Sequence, residues 1–240
     1  MSGGFVHLVG IGPGDEASIS VGALAAIRNA TEIWSSDIGH LNSERLFLRP
    51  YLRGKKLVNL APYYSQIGIQ RKRMYRMIAG RLVHLAGCGR QITYLLSGNP
   101  FVWVYITDLL KDHAAAGRLN LRITPSMSFL DTIWHDIPFS CRGNLQLRLT
   151  HIGDPDISPH IDCVVGQVGD VGVTGFGGDS QGNGLDKLSR LYPPEHEVFV
   201  SGYSLVYATQ HTERARIADL SKVLPNFAPS FYVVIIPKLP

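Results

Sequence analysis

The sequence predicts an α/β protein of two domains, the first a mostly parallel sheet with helices on both faces. Three observations carry this expectation. Short apolar runs rich in β-branched residues alternate with helix-period segments as far as residue 136, the rhythm of strand–helix–strand units. Glycine- or proline-shaped turns follow these runs at residues 10–14, 97–100 and 125–128, where open α/β sheets place their ligands. Residues 137–143 read as a linker by their Pro, Ser and Gly content, and beyond them strands recur with fewer helices between. The expected domains are residues 1–124 and 125–240, the second a mixed α/β unit.

In order, Phe5-Val6-His7-Leu8-Val9 reads as a first strand running into Gly10-Ile11-Gly12-Pro13-Gly14-Asp15. Three glycines in five residues let backbone approach a bound molecule. Pro13 and the early third glycine exclude the dinucleotide fingerprint. Ser18 or Ser20 can cap a helix reaching about Asn29, with Leu24, Ala25 and Ile27 as its apolar surface. Residues 31–35 form a second strand, 42–52 a short helix and 56–60 a third strand. The stretch from Ala61 is loop-like at first, then opens a helix that reaches His84 and is stopped by Gly87-Cys88-Gly89. Arg71 and Tyr75 stand four apart on one face of that helix. The blander reading is a solvated basic face of Arg71, Lys72, Arg73 and Arg76 over half-packed tyrosines.

Ile92-Thr93-Tyr94-Leu95-Leu96 is a buried strand, broken by Ser97-Gly98-Asn99-Pro100. Gly98 supplies φ freedom, and Pro100 pre-sets the first turn of a helix expected from Phe101 toward Ala116. A strand at 119–123, the turn Thr124-Pro125-Ser126-Met127-Ser128 and a helix at 129–136 follow. Later strands are expected at 145–152, 162–168, 197–200 and 231–236, with helices at 184–192 and 217–223. Residues 166–178 are glycine-dense, as a flexible or a ligand-facing loop would be. Trp34, Trp103 and Trp134 are expected in the core, and His7, His84 and His135 in structural roles.

Composition narrows the class. The 240 residues are 45% hydrophobic and 18% charged, which suits a globular protein with one large or two modest cores. No apolar run approaches the roughly 20 residues that span a bilayer, and Met1-Ser2-Gly3-Gly4 opens no signal peptide. Three cysteines (Cys88, Cys141, Cys163) without metal-ligand spacing point to a reducing, cytoplasmic setting and no metal. The net charge of +4 comes from scattered Lys and Arg. Nucleic acid would call for one clustered basic run, and an acidic peptide or small anion suits this charge equally well; no nucleic-acid partner is expected.

Taken together, the loops Gly10-Ile11-Gly12-Pro13-Gly14-Asp15, Ser97-Gly98-Asn99-Pro100 and Pro125-Ser126-Met127-Ser128 resemble, in order, three signature loops of the tetrapyrrole methylase superfamily. The resemblance implies a two-domain α/β fold holding S-adenosylmethionine in the cleft between domains. A narrower likeness lies in Tyr63-Tyr64-Ser65-Gln66 and Gly68, followed by Arg71, Tyr75 and Met77, which resemble the borosin peptide backbone N-methyltransferases, of which the omphalotin-precursor enzyme is the best known. It continues in Val165-Gly166-Gln167-Val168-Gly169 and in Leu191-Tyr192-Pro193-Pro194-Glu195-His196-Glu197-Val198. Fused borosin enzymes carry their substrate as a C-terminal extension. This sequence ends at Pro240 just after its last strand, so it resembles the split type acting on a separate precursor peptide. It departs from those relatives at Ser97-Gly98-Asn99-Pro100, where they have Tyr-Gly-His-Pro, and in a loop about two residues shorter before Arg71. One tyrosine of the family's site therefore has no counterpart at its position.

The resemblance implies that Arg71, Tyr75 and Tyr64 carry the chemistry. A backbone amide nitrogen is a poor nucleophile because its lone pair is delocalised. Arg71 suits the imidate oxygen, and a tyrosine suits the departing proton if a nearby cation favours its phenolate. The cofactor would lie against Gly10, Gly12, Pro13, Ser97, Gly98, Asn99, Pro100, Val102, Ser128, Phe129, Gln167 and Val168, leaving as S-adenosylhomocysteine. No metal is implied, and relatives form homodimers. Two other readings stand beside this one. One is a methyltransferase of the same superfamily acting on a tetrapyrrole or small molecule. The other is an inactive partner that binds cofactor and peptide.

Overall fold

The computed structural model describes residues 3–13, 16–36, 46–64, 71–137, 144–149, 157–166, 184–204, 206 and 209–239; the Tyr64 and Arg71 side chains are among those outside it. The chain divides into two compact units, Met1–Thr132 and Ile133–Pro240.

The first unit holds five parallel strands: β1 (Phe5–Gly10), β2 (Glu32–Ser35), β3 (Lys56–Asn59), β4 (Gln91–Leu96) and β5 (Leu121–Thr124). Their order is β3-β2-β4-β1-β5. Helices α1 (Val21–Asn29), α2 (Arg49–Leu52), α3 (Ala61–Tyr64), α4 (Arg71–Gly87) and α5 (Tyr105–Ala115) connect them, and α6 (Phe129–Asp136) begins in this unit and ends in the second. The two-residue period of the strands sorts their apolar side chains onto two faces. Val6, Leu8, Trp34, Ile92 and Tyr94 pack against Met74, Ile78 and Leu82 of α4 and Ile106 and Leu110 of α5. Val9, Ile33 and Leu95 pack on the other side against Ala23 and Ile27 of α1 and Leu52 of α2. Apolar residues on both faces are what a parallel sheet covered by helices requires.

Several local expectations are corrected. The helix expected from Phe101 starts at Tyr105, because Trp103 takes φ 57°. A left-handed residue cannot continue a right-handed helix. Residues 61–64, expected as loop, make one helical turn, with the Asn59 side-chain oxygen accepting the Ala61 N–H at 2.9 Å. Of the helix expected at 42–52, Leu46–Leu48 is a 3-10 turn and Arg49–Leu52 is α-helical, while 42–45 lies outside the described residues. Ala25 is exposed, and Ala23 and Ile27, four apart, make the buried face of α1. Ser20 is the N-cap.

The second unit is a mixed sheet of β6 (Leu145–Leu149), β7 (Asp162–Gly166), β8 (Glu197–Ser204), β9 (Thr209–Arg216) and β10 (Phe227–Ile236), ordered β6-β7-β10-β8-β9. β6 and β7 are parallel, and the other pairs antiparallel. Helices α7 (Gly184–Leu191) and α8 (Leu220–Val223) accompany it. Cys163, Val165, Leu188, Val200, Phe227 and Val234 centre its core. β9 was not expected, and β8 and β10 are longer than their apolar patterns.

One polar cluster ties β2 to β4. Glu32 is 8% exposed. It accepts from Trp34 Nε1 at 2.7 Å and from the Arg90 guanidinium on both oxygens, with Lys56 Nζ at 3.6 Å. Burial pushes its carboxyl up, but the hydrogen bonds from Arg90 and Trp34 and the charges of Arg90 and Lys56 outweigh it and hold the group below the usual carboxylate range. A carboxyl depressed in the folded state stabilises above its unfolded pKa of about 4.3 and loses that stabilisation as pH falls through the folded value. Glu32→Gln is expected to lower stability by about 2–3 kcal/mol at neutral pH, less than for a fully buried pair because Arg90 is one-third exposed. The deficit should shrink on acidification. Denaturant unfolding at neutral and acid pH reads both, and equal curves at neutral pH would refute it.

Candidate functional site

The strand order creates a switch point. β1 and β4 are neighbours, yet the chain leaves β1 through α1 toward β2 and leaves β4 through α5 toward β5 on the opposite side. α1 and α5 cover opposite faces. The connections after β1 and β4 therefore part to opposite faces of the sheet, and the carboxyl ends of two such strands are where open α/β sheets place their ligands.

Both glycine loops sit there and are bonded to each other. Ile11 N donates to Leu96 O at 2.9 Å, Gly98 N to Gly12 O at 2.8 Å, and Gly12 N to Gly98 O at 3.3 Å. Each glycine has a different physical reason. A Cβ on Gly10 would stand 2.6 Å from Gly98 O and from Pro100 Cδ, and one on Gly12 (φ 70°) would stand 2.3 Å from Ser18 Oγ. Gly98 also has positive φ, 75°, but a Cβ there would meet no atom within 4 Å. Gly10 and Gly12 are therefore glycines because protein fills the space. Gly98 faces open space.

The third loop, after β5, locks onto these two. Ser126 Oγ donates to Gly10 O at 2.7 Å and accepts from Ser20 N at 2.9 Å. Asn99 Nδ2 donates to Ser126 O at 2.8 Å, and Asn99 Oδ1 accepts from Phe101 N at 2.9 Å. Ser128 and Asp131 form a reciprocal cap at the start of α6: Leu130 N donates to Ser128 Oγ at 2.9 Å and Ser128 N to Asp131 Oδ2 at 2.7 Å. Ser18 and Ser20 just before α1, Asn99 of the loop after β4, and Ser126 and Met127 of the loop after β5 line a hollow of about 410 Å³. Ser126 is 8% exposed. Ser126→Ala should cost about 2 kcal/mol, since it strands the Gly10 carbonyl and the Ser20 N–H. Thermal unfolding that matches the parent would refute this.

Two tryptophans expected in the core are only half-buried: Trp134 and, at this site, Trp103. Trp103 lies in the left-handed region, its ring tilted at 30° to Phe129 with centroids 5.0 Å apart. A bulky residue held at positive φ marks stored strain, which clusters at binding sites. Tyr75 is half-buried and meets Tyr105 edge-on, centroids 6.0 Å apart at 73°. Tyr105 is the first residue of α5, directly after residues 97–104. The start of α4 is thus tied by ring packing to the end of that loop.

The structure brings together Gly10, Gly12, Ser97, Gly98, Asn99, Pro100, Val102, Ser128 and Phe129 at or beside these strand ends. Within that set the Asn99 and Ser128 side chains are engaged with backbone, so they shape the loops. Pro13 follows directly on Gly12. Gln167, Val168, Gly14 and Asp15 lie outside the described residues, as do the side chains of Arg71 and Tyr64. His7 Nε2 is 2.8 Å from Thr124 Oγ1, and burial, then the Arg122 charge, lowers its pKa. It bridges β1 and β5. Among the described residues there is no cluster of metal-ligating side chains, and no helix is long and apolar enough to cross a membrane.

A family profile described as "Tetrapyrrole (Corrin/Porphyrin) Methylases" matches residues 6–159. No curated protein sequence matches significantly. Among solved structures, uroporphyrin-III-C-methyltransferase from Thermus thermophilus is similar at TM-score 0.65 and 18% identity, over 97% of this chain and 91% of that one. The same enzyme complexed with S-adenosyl homocysteine is similar at TM-score 0.62 and 17% identity, over 97% of both chains. The methyltransferase CobJ is similar at TM-score 0.64 and 17% identity, over 98% of this chain and 94% of that one. At such identities the likeness is one of fold.

Proposed function

The chain belongs to the tetrapyrrole methylase family, and from that premise we propose that it is a peptide backbone N-methyltransferase acting on a precursor peptide. Membership makes it a methyltransferase that uses S-adenosylmethionine. The site fits that cofactor. Gly98 leaves open space at positive φ, the Gly10 and Gly12 loop is braced behind it, and the adjoining hollow is of ligand size. When bound, the sulfonium supplies the methyl group and the leaving group.

The finer reading rests on one observation. Tyr75, one turn after Arg71, packs on Tyr105, where the cofactor loop ends. That contact ties the stretch resembling borosin enzymes to the loop that holds the donor. In this reading Arg71 binds the amide oxygen as it gains imidate character, and its forked donors fix that oxygen's plane. Tyr75 takes the amide proton, with Tyr64 as the alternative base. The Trp103 and Phe129 rings give the loop an apolar wall that limits water. On the same resemblance we place the enzyme in the cytoplasm as a homodimer.

Co-expression with the peptide encoded by any short open reading frame that flanks its gene, followed by intact-mass analysis, tests the proposal. The expected result is a precursor heavier by whole methyl additions located on backbone nitrogens. No mass gain, with donor consumed on a tetrapyrrole instead, would establish the second reading, which the name of the neighbour uroporphyrin-III-C-methyltransferase favours. That reading makes Arg71 and Tyr75 dispensable.

A further inference from the structure

The outer face of α4 has no role in the chemistry above. This 17-residue helix carries Arg71, Lys72, Arg73, Arg76 and Arg81 and no acidic residue. Met74, Ile78 and Leu82 face the sheet. Arg73, Arg76, Met77, Gly80, Arg81 and His84 are exposed, and at 100° per residue they fall within an arc of about 140°. Met77, in the middle of that arc, is 45% exposed.

The arrangement breaks local rules of helix stability. Three cations occupy the first turn, the positive end of the helix dipole, with no acid there to offset them. Lys72 and Arg76, four apart, repel, as do Arg73 and Arg76, three apart. Among the described residues none of Arg73, Arg76 and Arg81 has an acidic partner; Arg81 lies over the Trp34 ring at 5.8 Å. Local rules broken with no gain within the fold point to function.

We propose that this face docks an acidic peptide segment, with carboxylates three or four residues apart and an aliphatic side chain over Met77. Resting on the reading of the substrate as a peptide, that segment belongs to the precursor, away from the methylated amide. A second copy of this chain is a poor occupant, since a two-fold contact would set the arginine stripe against itself. Nucleic acid is a poorer one, because the face offers a thioether at its centre and no exposed aromatic ring for bases to stack on.

The probe is a fluorescent helical peptide of glutamate and alanine with one central leucine, long enough to span Arg73 to His84, about 16 Å. Its glutamine-for-glutamate counterpart and an oligothymidylate serve as comparisons. Fluorescence anisotropy should show the acidic peptide binding at physiological salt and the glutamine peptide failing to bind. Arg76→Glu/Arg81→Glu should weaken binding at least about tenfold, attraction at both positions becoming repulsion. Arg73→Glu/Met77→Gln, which leaves the Arg81 contact with Trp34 intact, should act in the same direction. Unchanged affinity in both variants would overturn the proposal, as would oligothymidylate binding more tightly than the acidic peptide. Methyl transfer is a separate readout: docking without methylation removes the peptide N-methylation reading alone, and precursor methylation indifferent to both variants removes this surface alone.

Discussion

Replacing Gly98 with valine should abolish cofactor binding while the first unit stays folded. The backbone there has φ 75°, which a β-branched residue adopts only with strain of roughly 1–2 kcal/mol. That lowers stability without unfolding a domain of ordinary stability. No protein atom lies within 4 Å of the Cβ position, so the added methyls enter open space beside the loop and not the core. Gly98→Ala should be intermediate, adding a single carbon at a similar backbone cost. Gly12→Ala should behave in the opposite sense, because its Cβ would stand 2.3 Å from Ser18 Oγ and 2.6 Å from Ser18 O. There the loss is chiefly of stability. Calorimetry with S-adenosylhomocysteine, alongside thermal unfolding of the three variants, separates these outcomes. Parental affinity in Gly98→Val would make that loop architectural and move the cofactor elsewhere.

Arg71→Lys and Tyr75→Phe should each slow methyl transfer strongly and leave cofactor affinity unchanged. Phenylalanine keeps the ring that meets Tyr105 at 6.0 Å, so the packing at the start of α5 survives and only the hydroxyl is lost. For a general base that loss is worth roughly 10²–10⁴-fold in rate. Lysine keeps the charge of Arg71 without the planar fork, so at least about a tenfold loss is expected. If both groups serve one transition state, the double variant should be little slower than the slower single one. Single-turnover methylation of the matched precursor is the measurement. A near-parental rate for Tyr75→Phe would shift the base to Tyr64. Multiplying losses would assign the two residues independent roles, and a lost cofactor site would mean that the pair holds the donor instead.

What the sequence determined by itself is what short-range physics controls. β1 and β4 are apolar runs ended by glycine turns, a serine at 18 or 20 caps α1 (the structure selects Ser20), and Gly98 occupies a turn whose φ suits no side chain. Each follows from a few adjacent residues, and three such loops in order sufficed to identify the family. The cap made by Ser128 and Asp131 was equally legible in the spacing of the two residues. Tertiary structure decided the rest, because the deciding contacts join residues far apart in the chain. β9, Thr-Gln-His-Thr-Glu-Arg-Ala-Arg, is an edge strand too polar to announce itself and exists through its pairing with β8. Trp103 leaves the helix that Pro100 seemed to start and lies against Phe129, twenty-six positions on. Glu32 finds Arg90, and Tyr75 finds Tyr105, only once the sheet is assembled. The placement of the site is tertiary: spacing shows that the loops after β1 and β4 are glycine-rich, but only the order β3-β2-β4-β1-β5 makes those strands neighbours whose connections part to opposite faces.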